Sequence, residues 1–108
     1  MQRYPVRTSH RGNLDPDALR EIVAAQFEAA ERTGDAVTTR WGAIERLSAK
    51  GDRRDLVIDL TMNPKVAEEV ARETIARYNR FLEAATGYSA KERARRLRKS
   101  AADAPAGG

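Results

Sequence analysis

The chain has 108 residues, is 41% hydrophobic and holds few aromatics, which supplies one compact core and argues against two domains. It contains no cysteine, so disulfides, thiolate metal sites and cysteine nucleophiles are excluded. The net charge of +4 is unevenly spread: residues 1–90 are neutral, whereas Lys91–Lys99 set two Lys and four Arg against one Glu.

Tyr4, Val6 and Thr8 alternate, so Arg3–Thr8 reads as a short strand. Pro5 lacks a donor and predicts that this strand lies at a sheet edge. Met1–Thr8 has no apolar signal core, and no run in the chain approaches the roughly 18 apolar residues of a membrane span. A cytoplasmic protein with no membrane partner is expected. Ser9–Asn13 reads as loop.

Asp15-Pro16 predicts a helix start, the Asp as cap and the Pro where a missing N–H costs nothing. Leu19, Ile22, Val23, Phe27 and Ala30 recur at three- and four-residue spacing and carry the helix over 15–32, with Thr33-Gly34-Asp35 ending it. The period then drops to two at Val37, Thr39 and Trp41. Across Ala43–Ala49 the phase is imperfect, since Ile44 and Leu47 are three apart; a bulge or a short helical turn would reconcile them. Lys50-Gly51-Asp52-Arg53 reads as a hairpin loop. Asp55–Met62 is the clearest strand, with Leu56, Ile58, Leu60 and Met62 on one side.

Asn63-Pro64 repeats the cap-then-proline pattern and predicts a second long helix to about Ala85. Val66, Val70, Thr74, Tyr78, Phe81, Leu82 and Ala85 form its buried face, and Gly87 terminates it. Ser89-Ala90-Lys91-Glu92 fits a capping box opening a short basic helix. From Ala101 the chain has nothing to bury and is expected to be disordered. The reading is an α+β fold of order β-α-β-β-β-α. It has a mainly antiparallel sheet of three or four strands with both long helices on one face. Residues 1–88 form the domain, 89–100 the basic helix and 101–108 the tail.

The stretch Tyr78–Arg93, YNRFLEAATGYSAKER, resembles the C-terminal signature of a family of small archaeal proteins of unknown function. The resemblance is specific over about residues 64–98 and implies an archaeal, cytoplasmic origin. It offers no functional residues to carry over.

Chemistry is sparse. His10 is the one histidine, flanked by Ser9, and adjacency in sequence does not make a nucleophile–base pair. Asp55 and Asp59 lie on one strand face about 13 Å apart, too far to share an ion. Asp52 and Asp55 bracket Arg53 and Arg54, which suggests ordinary ion pairing. No phosphate-loop or dinucleotide pattern is present. No enzyme activity, metal or cofactor is expected. Trp41 reads as core or, with Arg40 or Arg46, as a stacking platform on an open sheet face. Residues 15–86 share the element order of double-stranded-RNA-binding domains. However, their last helix would open with Lys65 against Glu68 and Glu69, not with phosphate-holding lysines.

The basic segment carries the functional expectation. Lys91, Arg93, Arg95, Arg96, Arg98 and Lys99 are candidates for holding an RNA or DNA backbone without reading its sequence. The alternatives are docking to an acidic protein surface, in an interaction or assembly role, and solubility alone.

Overall fold

The computed structural model describes the backbone of residues 2–103 and the side chains of residues 2–96. Five antiparallel strands form one sheet: β1 (Gln2–Pro5), β2 (Glu31–Thr33), β3 (Ala36–Trp41), β4 (Ile44–Asp52) and β5 (Asp55–Met62), in the order β1-β5-β4-β3-β2. β1 sits at an edge, where Pro5 costs no ladder bond. Register puts Val37, Ala49 and Ile58 side by side, so these residues share one face with Leu47 and Leu56. That face is buried under α1 (Pro16–Phe27) and α2 (Glu68–Thr86), whose Leu19, Val23, Phe27, Phe81, Leu82 and Ala85 complete the core.

The α1 start is as the sequence predicts: the Asp15 carboxylate accepts from the Asp17 and Ala18 amides at 3.2 and 3.3 Å. Its end is not. The helix stops at Phe27, five residues before the expected boundary at 32, with Glu28 left-handed at φ 71°. Two contacts hold this exit. Trp41 Nε1 donates to Glu28 Oε2 at 3.2 Å, and Thr39 Oγ1 donates to the Ala29 carbonyl at 2.6 Å. The freed Glu31–Thr33 becomes the fifth strand, hairpinned to β3 through Gly34-Asp35. Gly34, at φ 62°, opens that turn as the strand twist requires.

Ser9–Asn13 is not open loop but part of a 3-10 helix, Thr8–Leu14. Asn13 Nδ2 donates to the last-turn carbonyls of α2 at Ala84 and Ala85. The Lys50–Arg53 loop is shorter than expected: β4 runs through Asp52, and Arg53-Arg54 makes a two-residue turn. Asn63-Pro64 starts no helix. The Asn63 carboxamide accepts from the Lys65 amide at 2.9 Å, a local turn, and α2 begins at Glu68. Val70, expected inside, is 38% exposed, while Thr74 is fully buried. Gly87 ends α2 in the left-handed region at φ 80°. α3 runs Ala90–Asp103, three residues past the expected boundary at 100. The rest of the expected tail, 104–108, lies outside the described residues. No helix among the described residues is long and apolar enough to cross a membrane.

Candidate functional site

Glycine at 87 turns the chain out of α2, and Ser89 with Glu92 opens α3 as a reciprocal capping box. The Ser89 amide donates to Glu92 Oε1 at 3.1 Å and the Glu92 amide to Ser89 Oγ at 3.2 Å. Glu92 also pairs with Arg7 at 2.9 Å. Hydrogen bonding from Ser89, helped by Arg7, holds its carboxyl below the ordinary glutamate range. Tyr88 is buried, and the guanidiniums of Arg7 and Arg96 lie over its ring at 4.4 and 4.3 Å.

The six basic candidates do not act alike. Arg93 is only 7% exposed; it donates to the Tyr88 carbonyl at 2.7 Å and to Asn79 Oδ1 at 3.2 Å. Turned into the domain, it is an anchor and not a surface cation. Lys91 and Arg95 are exposed, and so is Arg96 while it stacks on Tyr88. At one turn per 3.6 residues, positions 91, 95 and 98 fall on one side of α3. The side chains of Arg98 and Lys99 lie outside the described residues.

Trp41 faces the helices. Its ring is 6.5 Å from Phe27, and Arg77 stacks on it at 4.2 Å. A base-stacking platform on the open sheet face is therefore ruled out for this residue. Asp52 and Asp55 pair with Arg3 of β1, the latter at 3.1 Å, and not with the turn arginines between them. Ser9 Oγ lies 2.9 Å from His10 Nδ1, but the Ser9 side chain is exposed. The imidazole lies against Gly87, where an added Cβ would stand 2.7 Å from its Nδ1. The Tyr78 hydroxyl is buried without a hydrogen-bond partner among the described residues, and burial raises its pKa. No group of three or more His, Cys, Asp or Glu among the described residues is arranged to hold a metal.

A second feature lies at the β3–β4 hairpin. Register shifts by one residue between Ile44 and Arg46 against β5, and against β3 between Thr39 and Trp41. The extra β4 residue lets Ile44 and Leu47 both reach the core, at 2% and 0% exposure. It also leaves Glu45 and Arg46 as consecutive exposed charges beside Arg40. A hollow of about 560 Å³ opens there, walled by Ala29 and Ala30 and lined by Glu31, Thr38, Arg40, Glu45 and Arg46 among others. A second hollow of about 490 Å³ shares Arg40 and Glu45 with it and adds Trp41. Among the described residues, Glu31, Arg40, Glu45 and Arg46 make no ion pair, although both signs line the one hollow. The sequence signal for this place is the phase slip between Ile44 and Leu47, which marks a bulge without showing what the bulge presents.

A family profile described as a domain of unknown function, DUF5611, matches residues 1–99. The NMR solution structure of hypothetical protein TA0095 from Thermoplasma acidophilum is similar, with 30% identity and a TM-score of 0.68. The similarity covers 90% of this chain and 97% of that one. Among curated proteins there is no match.

Proposed function

The chain belongs to the family of the domain of unknown function DUF5611, and from its own residues we propose a non-enzymatic module that holds RNA or DNA backbones through the outward side of α3. One observation carries the reading: Arg93 is buried against Tyr88 and Asn79. That anchor fixes the rotation of α3, so Lys91 and Arg95 project together along one side. Position 98 continues their line. Cations ordered in this way neutralise successive phosphates and release counterions, yet read no base edges. The archaeal source of the solved neighbour supports an archaeal origin, and a nucleic-acid partner fits a cytoplasmic location.

The test titrates the full chain against labelled single-stranded and duplex RNA and DNA at two salt concentrations, beside a Lys91→Gln/Arg95→Gln variant. About three or four phosphate contacts give a log–log salt slope near −2.7 to −3.6 on duplex. The variant loses affinity equally on all sequences and flattens the slope. An unchanged variant, or no binding at low salt, overturns the reading. The exposed apolar side chains of α2, Val70 at 38% and Ile75 at 52%, favour a protein partner as the second reading.

A further inference from the structure

We propose that the hollow beside the β4 bulge binds a short zwitterionic peptide, laid along the end of β3 that β2 leaves uncovered. Thr33 and Ala36 flank the two-residue Gly34-Asp35 turn and so form a hydrogen-bonded pair, as do Glu31 and Thr38 two residues on. By the same alternation, the next β3 residue whose N–H and C=O point outward is Arg40. Its opposite number would be Ala29, which lies outside β2, its carbonyl held by the Thr39 hydroxyl at 2.6 Å instead of by the β3 backbone. A strand edge is thereby open inside a hollow, where an extended peptide backbone can pair with it.

The charges suit the two ends of such a peptide. Arg40 and Arg46 offer guanidiniums to a carboxylate, and Glu31 and Glu45 offer carboxylates to an ammonium. Balanced opposite charges with no ion pairs among themselves match a ligand that carries both signs better than a simple anion. The site is remote in sequence from α3, so its failure and the failure of nucleic-acid binding are separate results.

The experiment follows backbone amide shifts of the isotope-labelled full chain on titration with triglycine, N-acetyl-triglycine and triglycinamide. Triglycine is expected to shift Glu31 and Thr38–Arg46 in the millimolar range. Blocking either terminus weakens binding about three- to tenfold. Arg46→Gln abolishes the preference for triglycine over its amide, and Glu31→Gln the preference over the acetylated form. Both positions are exposed, so thermal unfolding of the variants stays at the wild-type midpoint and certifies the fold. No shift with millimolar triglycine, equal binding of the three peptides, or variants that keep both preferences would overturn the proposal.

Discussion

Arg93 donates to the carbonyl of Tyr88 at 2.7 Å across the first turn of α3, from a position 7% exposed. A cation buried among neutral acceptors is costly to leave half-satisfied and costly to remove. Arg93→Ala is expected to lower stability by about 1.5–3 kcal/mol, through the lost charged hydrogen bonds. It also speeds hydrogen exchange along α3. Arg95→Ala, on the outward side, changes stability by no more than about 0.5 kcal/mol. Thermal unfolding and amide exchange of the two variants separate anchor from surface cation.

Glu92 makes the attachment of α3 pH-dependent. Its folded pKa is depressed, so its contribution is present above the ordinary glutamate value of about 4.3 and is lost as pH falls through the lower folded value. Acidification in that range loosens the capping box and releases Arg7. Carbon chemical shifts of residues 89–93, followed from neutral pH into acid, report the loss. Glu92→Gln removes this titration.

Arg53 opens the β4–β5 turn at φ 59°, a conformation that a residue with a Cβ enters at a cost of about 1–2 kcal/mol. The side chain is exposed and takes part in no ion pair among the described residues. Arg53→Gly is expected to stabilise by about 0.5–1 kcal/mol, once the greater freedom of glycine in the unfolded chain is deducted. Denaturant titration should show a higher midpoint with an unchanged slope.

Gly42 and Thr74 are matched across the sheet–helix interface. A Cβ on Gly42 would stand 2.5 Å from Thr74 Oγ1, and its φ of 54° disfavours any side chain. That hydroxyl accepts from the Ala43 amide at 3.1 Å and donates to the Val70 carbonyl at 2.7 Å. Thr74→Val strands a buried N–H and costs about 1–3 kcal/mol. Gly42→Ala is destabilising too, and adding it to Thr74→Val costs less than the sum, because both disturb one contact. A double-mutant cycle in denaturant measures the coupling.

The sequence made some of this legible and hid the rest for physical reasons. The Asp15 cap, the Ser89–Glu92 box and the alternation of Leu56 and Ile58 are local signals, and each appears where the spacing puts it. The end of α1 depends on Trp41 and Thr39 reaching back more than nine residues to Glu28 and Ala29, while Ala29-Ala30-Glu31 by itself favours helix. Thr33-Gly34-Asp35 is correctly a chain reversal, but it joins strands instead of ending a helix. In the candidate site, six basic residues look equivalent in sequence. Of the four with described side chains Arg93 alone is buried, through the Tyr88 carbonyl and Asn79, fourteen positions away.

Trp41 is the chain's one tryptophan, and its surroundings turn it into an optical gauge of the whole assembly. The indole belongs to β3, donates to the residue that ends α1, and lies beneath Arg77 of α2 at 4.2 Å. Separation of either helix from the sheet strips away a distinct neighbour and lets water reach the ring. A single emission spectrum therefore reports sheet and both covering helices together.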